Sequence, residues 1–250
     1  LDEEAKRNLL EIFQLEKDWA KAIKIAEELP DIATHKEIAE YHCELAAAEM
    51  MRARPEAAAE YLRLALERNR KCVRASLLLG DMAAGQERYG DAITSWQRIE
   101  QQDPAYLALV AQRLLEAFRK QDRRDAGLLL LRGYLERYPS LDLLDVVFQL
   151  VLESEGVDAA YALVRDELKR NPTLLGFDKL IEARLLIAPP EARGDLELAK
   201  SIVQGYTRRL ARYRCDNCGF KARQFYWRCP ACGGWETYSP KRTEEFDLTP

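Results

Sequence analysis

Four cysteines near the C-terminus, Cys215, Cys218, Cys229 and Cys232, have the chemistry and spacing to hold a metal ion. They form C-x2-C-x10-C-x2-C within YRCDNCGFKARQFYWRCPACGGWETY, and a glycine, Gly219 or Gly233, closes each pair. In such a knuckle a turn brings two thiolates within reach of one metal, and the glycine accepts the positive φ the turn requires. Two facing knuckles complete a tetrahedral S4 site suited to one iron or zinc ion. A segment of roughly 25 to 30 residues buries too little apolar surface to fold unaided. Metal binding, worth about 10–16 kcal/mol in comparable structural zinc sites, is expected to supply the missing stability.

The chain has six cysteines in 250 residues. Clustered thiols in a chain of this length point to a reducing compartment rather than a disulfide scaffold. The other two, Cys43 and Cys72, fall in apolar helical stretches and read as core. His35 and His42 are the only histidines. Two helical turns, about 10 Å along the axis, separate them, too far for a shared metal. No serine or cysteine nucleophile has a visible histidine partner and no Gly-rich phosphate loop is present, so no catalytic residue is expected.

The formal net charge of −4 argues against wholesale coating of nucleic acid, yet Tyr206–Arg242 carries nine Lys/Arg against two Asp/Glu. Tyr213, Phe220, Phe225, Tyr226, Trp227, Trp235 and Tyr238 interleave with those cations. Such a segment suits single-stranded nucleic acid, or anionic lipid headgroups. The simpler expectation is that the rings pack over the cysteines and against the last helices of the preceding array.

Residues 1–212 must position this segment, and they read as helix almost throughout. Small residues recur at Ala22, Ala58, Ala92, Ala126, Ala160 and Ala199, spaced 36, 34, 34, 34 and 39. Four positions on come Ala26, Leu62, Trp96, Leu130, Val164 and Val203, on the same helical face. Pro30, Pro104, Pro139 and Pro172 stop one hairpin and admit the next. This pattern resembles the tetratricopeptide repeat, a helix–turn–helix of 34 residues. It predicts six hairpins over about 5–33, 36–70, 71–104, 105–139, 140–172 and 173–212. The fourth and fifth are degenerate, with Arg113 and Leu114 in place of Leu79 and Gly80, and the sixth holds an inserted turn, APPEARGD, at 188–195. The expected fold is all-α: a tetratricopeptide superhelix over 1–212, then a small rubredoxin-like or zinc-ribbon domain over 213–242. A short acidic tail, 243–250, follows. The chain opens without methionine inside a repeat, so the array is expected to extend further N-terminally.

Helical hairpins running into RYRCDNCGF and YWRCPACGGWETYSPKR, with EIAEYHCELAAAEM (37–50) and RNPTLLGFDKL (170–180) upstream, resemble the lipopolysaccharide assembly protein B family across essentially the whole chain. The resemblance implies a regulatory adaptor, not an enzyme, on the cytoplasmic side of the bacterial inner membrane, held by an N-terminal anchor this sequence lacks. It implies binding of the FtsH protease and of the deacetylase that commits lipopolysaccharide synthesis, whose proteolysis it promotes, together with lipopolysaccharide-transport proteins. It places the metal on Cys215, Cys218, Cys229 and Cys232. Ten residues between the knuckles, fewer than electron-transfer rubredoxins have, favour a structural ion. A nucleic-acid-binding zinc ribbon and a rubredoxin-like electron carrier stay as alternatives, and iron versus zinc and homo-oligomerisation stay open.

Overall fold

The structure, a computed structural model, describes residues 2–29, 34–207 and 213–240. Pro30, the junctions at 212 and 242 and the tail 243–250 lie outside the described residues. The chain divides into two compact units, Leu1–Pro104 and Ala105–Pro250.

In the first unit α1 (Glu3–Glu16) pairs with α2 (Trp19–Glu27), and α3 (His35–Met51) with α4 (Pro55–Arg68). Then α5 (Val73–Gly85) pairs with α6 (Tyr89–Gln97), which a short α7 (Ile99–Gln102) extends. The starts follow local chemistry. Asp2, Asp18 and Thr34 accept the N–H of Ala5, Lys21 and Glu37, relieving donors that lack an intrahelical partner. Glu37 returns the bond to Thr34, completing a capping box. Pro55 begins α4, where its missing N–H costs nothing.

The second unit continues with α8 (Leu107–Lys120) and α9 (Arg124–Arg137), then α10 (Leu141–Ser154) and α11 (Val157–Arg170), then α12 (Leu174–Ile187) and α13 (Pro190–Thr207). First helices also touch across hairpins, α3 on α5, α8 on α10 and α10 on α12, as stacked tetratricopeptide-like repeats require. No helix among the described residues is long and apolar enough to cross a membrane.

One turn recurs inside the hairpins. Lys17, Ala53, Glu87 and Asp122 each have φ between 54° and 59°. The following N–H, from Asp18, Arg54, Arg88 or Arg123, donates to the carbonyl five residues earlier, on Phe13, Glu49, Ala83 or Phe118. This is the Schellman closure of a helix C-terminus, usually built on glycine.

Ala22, Ala58, Ala92 and Ala160 are fully buried where their helices meet the preceding ones. The fourth hairpin departs from the expected register. Ala126 is exposed and Leu130 half-buried, while Gly127 and Leu131 enter the core. The reason is one residue: α8 has 14 residues where α5 has 13, so α9 starts 35 residues after α6. The close approach moves as well. In the third hairpin the Trp96 ring lies against Gly80, whereas in the fourth the Phe118 ring lies against Gly127. The expected insertion at 188–195 is also not a loop. Only 188 and 189 separate α12 from α13, and Pro190 to Asp195 form the first turns of α13.

The first unit buries an ion pair. Glu40 is inaccessible to solvent and accepts from Arg74 Nη1 at 3.1 Å, while Arg74 Nη2 lies 2.8 Å from Glu44. Beside it the fully buried Cys43 and Cys72 place their Sγ atoms 3.7 Å apart. Burial, then the bond to Cys72, pushes the Cys43 thiol well up, so it behaves as a small apolar side chain.

Candidate metal centre

Two short strands, β1 (Tyr213–Arg214) and β2 (Lys221–Ala222), pair antiparallel with Tyr213 opposite Ala222 and Arg214 opposite Lys221. The first knuckle sits between them. Gly219 N–H donates to Cys215 O at 2.8 Å, and Cys215 N–H donates to Phe220 O at 2.9 Å. The second knuckle repeats this arrangement: Gly233 N–H to Cys229 O at 2.9 Å, Cys229 N–H to Gly234 O at 2.8 Å. Gly219 and Gly233 have φ of 76° and 73°, where a β-carbon would be strained. Isolated bridges, Cys215 to Tyr238 and Arg228 to Trp235, fasten the closing segment to both knuckles.

All four cysteine Sγ atoms lie within 4.8 Å of one another, the one such cluster among the described residues. Cys215 and Cys232 are 3.8 Å apart, Cys218 and Cys229 3.7 Å. Sulfurs at the corners of a tetrahedron with a metal–sulfur distance of about 2.3 Å would be separated by about 3.8 Å. The site therefore suits one tetrahedral ion. Cys215 and Cys229 are buried, Cys218 and Cys232 exposed.

The thiols are not equivalent. Burial works against ionising Cys215, but the Thr237 hydroxyl and the N–H groups of Cys218 and Asn217 outweigh it and bring the thiol down to about 6. The Asn217 amide, at 3.4 Å from Sγ, and then the Gly234 N–H lower Cys232. Cys218 accepts from the Phe220 N–H, which favours its thiolate, yet burial and the three neighbouring cysteines push it up to about 12. Four sulfurs this close resist carrying four charges unless a cation sits among them.

The rings pack. Tyr238 is 1% exposed and meets Phe225 and Tyr226 edge to face; Phe225 meets Tyr213 and Trp227 in the same way. Trp227 then stacks on Tyr106, centroids 5.5 Å apart and planes 6° from parallel. Tyr106 stands just ahead of α8, so these ring contacts join the knuckle region to the fourth hairpin. Phe220, 42% exposed, is the ring that faces out.

His35 opens α3, and His42 is buried with its ring 6.3 Å from Tyr61. Burial, then the Arg68 charge, holds His42 below the usual imidazole value. Neither histidine belongs to the cysteine cluster. Sequence reasoning passed over Asn217, Thr237 and Tyr106. The first two lie within two residues of a knuckle or its closing segment, where a donor to sulfur could have been sought. Nothing in the sequence marks Tyr106.

Residues 213–240 match the family described as the rubredoxin metal binding domain. Over 95% of its length the chain is 29% identical to lipopolysaccharide assembly protein B of Escherichia coli strain K12. It is 30% identical, over 97% of its length, to the protein of that name from Haemophilus influenzae. The chain spans 62% of the length of these relatives. Among solved structures it is similar to Pseudomonas aeruginosa pilF, at 15% identity over 82% of this chain and 90% of that one, with a TM-score of 0.48.

Proposed function

We propose that this chain is the repeat-and-metal portion of a lipopolysaccharide assembly protein and acts as a non-enzymatic adaptor. One observation carries the reading: a likeness to lipopolysaccharide assembly protein B that runs through both the hairpins and the four-cysteine segment. Hairpin arrays recognise protein segments through rigid stacked helices, with no chemistry required. In this reading residues 1–212 form the partner-binding array and 213–242 the metal domain, with Cys215, Cys218, Cys229 and Cys232 as ligands of one iron or zinc ion. The ion's task is structural, holding the aromatic cluster that meets Tyr106. The partners are the FtsH protease and the committed-step deacetylase of lipopolysaccharide synthesis, together with lipopolysaccharide-transport proteins. Their meeting place is the cytoplasmic side of the inner membrane.

The packing of the rings against one another supports this reading over a base-stacking platform. The test is affinity capture of the full-length protein from its host membrane, with mass spectrometry of what is bound. Recovery of FtsH and the deacetylase is expected, and its loss on Cys215→Ser would tie the metal domain to partner control. Recovery chiefly of ribosomal proteins and RNA would overturn the adaptor reading in favour of nucleic-acid binding.

A further inference from the structure

The second helices of the hairpins mostly turn charge outward. The exposed positions of α4 are Glu56, Glu60, Arg63, Glu67 and Arg68, and those of α11 are Asp158, Arg165, Asp166, Lys169 and Arg170. On α13 the pattern changes. Leu198, Ile202 and Tyr206 are 61%, 54% and 66% exposed. They stand about one turn apart on a single stripe roughly 12 Å long. Val203, about 100° round the helix, takes the buried side. A hairpin with no hairpin stacked after it needs a polar outer face to stay in solution. Here the chain leaves α13 for the cysteine segment, whose rings are engaged with one another and with Tyr106. A contiguous apolar stripe left outside in this way marks an interaction surface.

Two features of the stripe fit a second copy of the same helix. Its spacing is even about Ile202, so a two-fold axis there sets Ile202 against itself and Leu198 against Tyr206 of the second copy. Its flanking charge is uneven. Glu191 and Asp195, both exposed, continue the stripe at its N-terminal end, all five side chains falling within an arc of about 80°. Directly after Thr207 the sequence turns basic, with Arg208, Arg209 and Arg212. Parallel pairing would bring Asp195 onto Asp195. Antiparallel pairing parts them by about 21 Å, beyond the Debye length of about 8 Å, and turns each acidic end toward the other copy's basic end. We propose that this face of α13 is a self-association surface, through which two copies of the chain pair antiparallel about Ile202.

Three side chains per copy fall short of the roughly 800 Å² per partner of a stable complex, so the pairing is weak and concentration-dependent. Sedimentation velocity of the 250-residue chain, run from low to high micromolar, should show a monomer–dimer equilibrium. Ile202→Glu, at the centre, should weaken it by about 30-fold or more. Leu129→Glu, at a leucine on α9 that is 79% exposed, should stay within about 3-fold of wild type. Leu198→Glu and Tyr206→Lys should each weaken association alone. An equimolar mixture of those two chains should regain it, because the antiparallel pair sets the new carboxylate against the new ammonium. A chain monomeric at every concentration overturns the proposal, and so does a dimer that Ile202→Glu leaves intact. Leu129→Glu as damaging as Ile202→Glu would mean unspecific apolar association, and a mixture no tighter than its parts would mean a different register; either result also overturns it.

Discussion

The indole of Trp96 occupies the space that any side chain on Gly80 would need. A β-carbon built there would fall 2.1 Å from Nε1, and that same Nε1 donates to Leu77 O at 3.2 Å. The glycine and the hydrogen bond thus fix how closely α5 and α6 approach. Gly80→Ala gains about 1 kcal/mol of helix propensity but forces the ring out, and overpacking of this kind costs about 1–3 kcal/mol. A net loss of stability in urea unfolding is expected, recovered in part by adding Trp96→Leu. Gly80→Ala as stable as wild type would contradict the close approach.

The Schellman turns predict a gain. Glu87 holds φ of 59°, a conformation unfavourable for any residue with a β-carbon and comfortable for glycine. Glu87→Gly should stabilise the third hairpin by about 1 kcal/mol, the same amount by which glycine usually weakens a helix interior. Thermal unfolding with a lowered midpoint would refute the assignment of that turn.

Arg74 neutralises Glu40 where water cannot. Arg74→Met leaves a buried carboxylate unpaired, and the expected loss is about 3–5 kcal/mol. Replacing both, as Glu40→Leu with Arg74→Met, should restore most of it, because the desolvation cost disappears with the charges. Denaturation of the single and double variants decides this; a double variant no better than the single would show the pair is not the dominant interaction.

Tyr106 is 5% exposed beneath Trp227. Tyr106→Ala should cost about 3 kcal/mol as a large-to-small change and loosen the aromatic segment without opening the knuckles. Hydrogen exchange followed by mass spectrometry should quicken for peptides around 225–228 while those containing Cys215 to Gly219 stay protected. Unchanged exchange in the aromatic segment would mean the stack carries no packing energy.

Metal removal should divide the six cysteines into two classes. Chelation exposes Cys215, Cys218, Cys229 and Cys232 to thiol reagents, while Cys43 and Cys72, both 0% exposed, react only when the helices unfold. Far-UV circular dichroism should keep its helical signal as residues 213–240 lose protection. Four thiols reacting equally fast before and after chelation would exclude a bound ion.

The hairpins and the cysteine spacing were legible because both are local. About 3.6 residues per turn, a small residue at each helix crossing and C-x2-C-G at each knuckle leave direct marks along the chain. The fourth hairpin shows where that legibility stops. Ala126 continues the period, yet Gly127 is buried, because one extra residue in α8 turns α9 by about 100°. Pro189-Pro190 looked like a loop because proline breaks a helix interior, whereas the first turn has no N–H to lose. Spacing by itself determined the repeat class and the four clustered thiols. Tertiary structure alone decided which ring receives the knuckle region, which carboxylate lies buried beside Arg74, and which side chains surround the sulfurs. Those depend on contacts between residues far apart in the chain, such as Tyr106 and Trp227, and no period in the sequence records them.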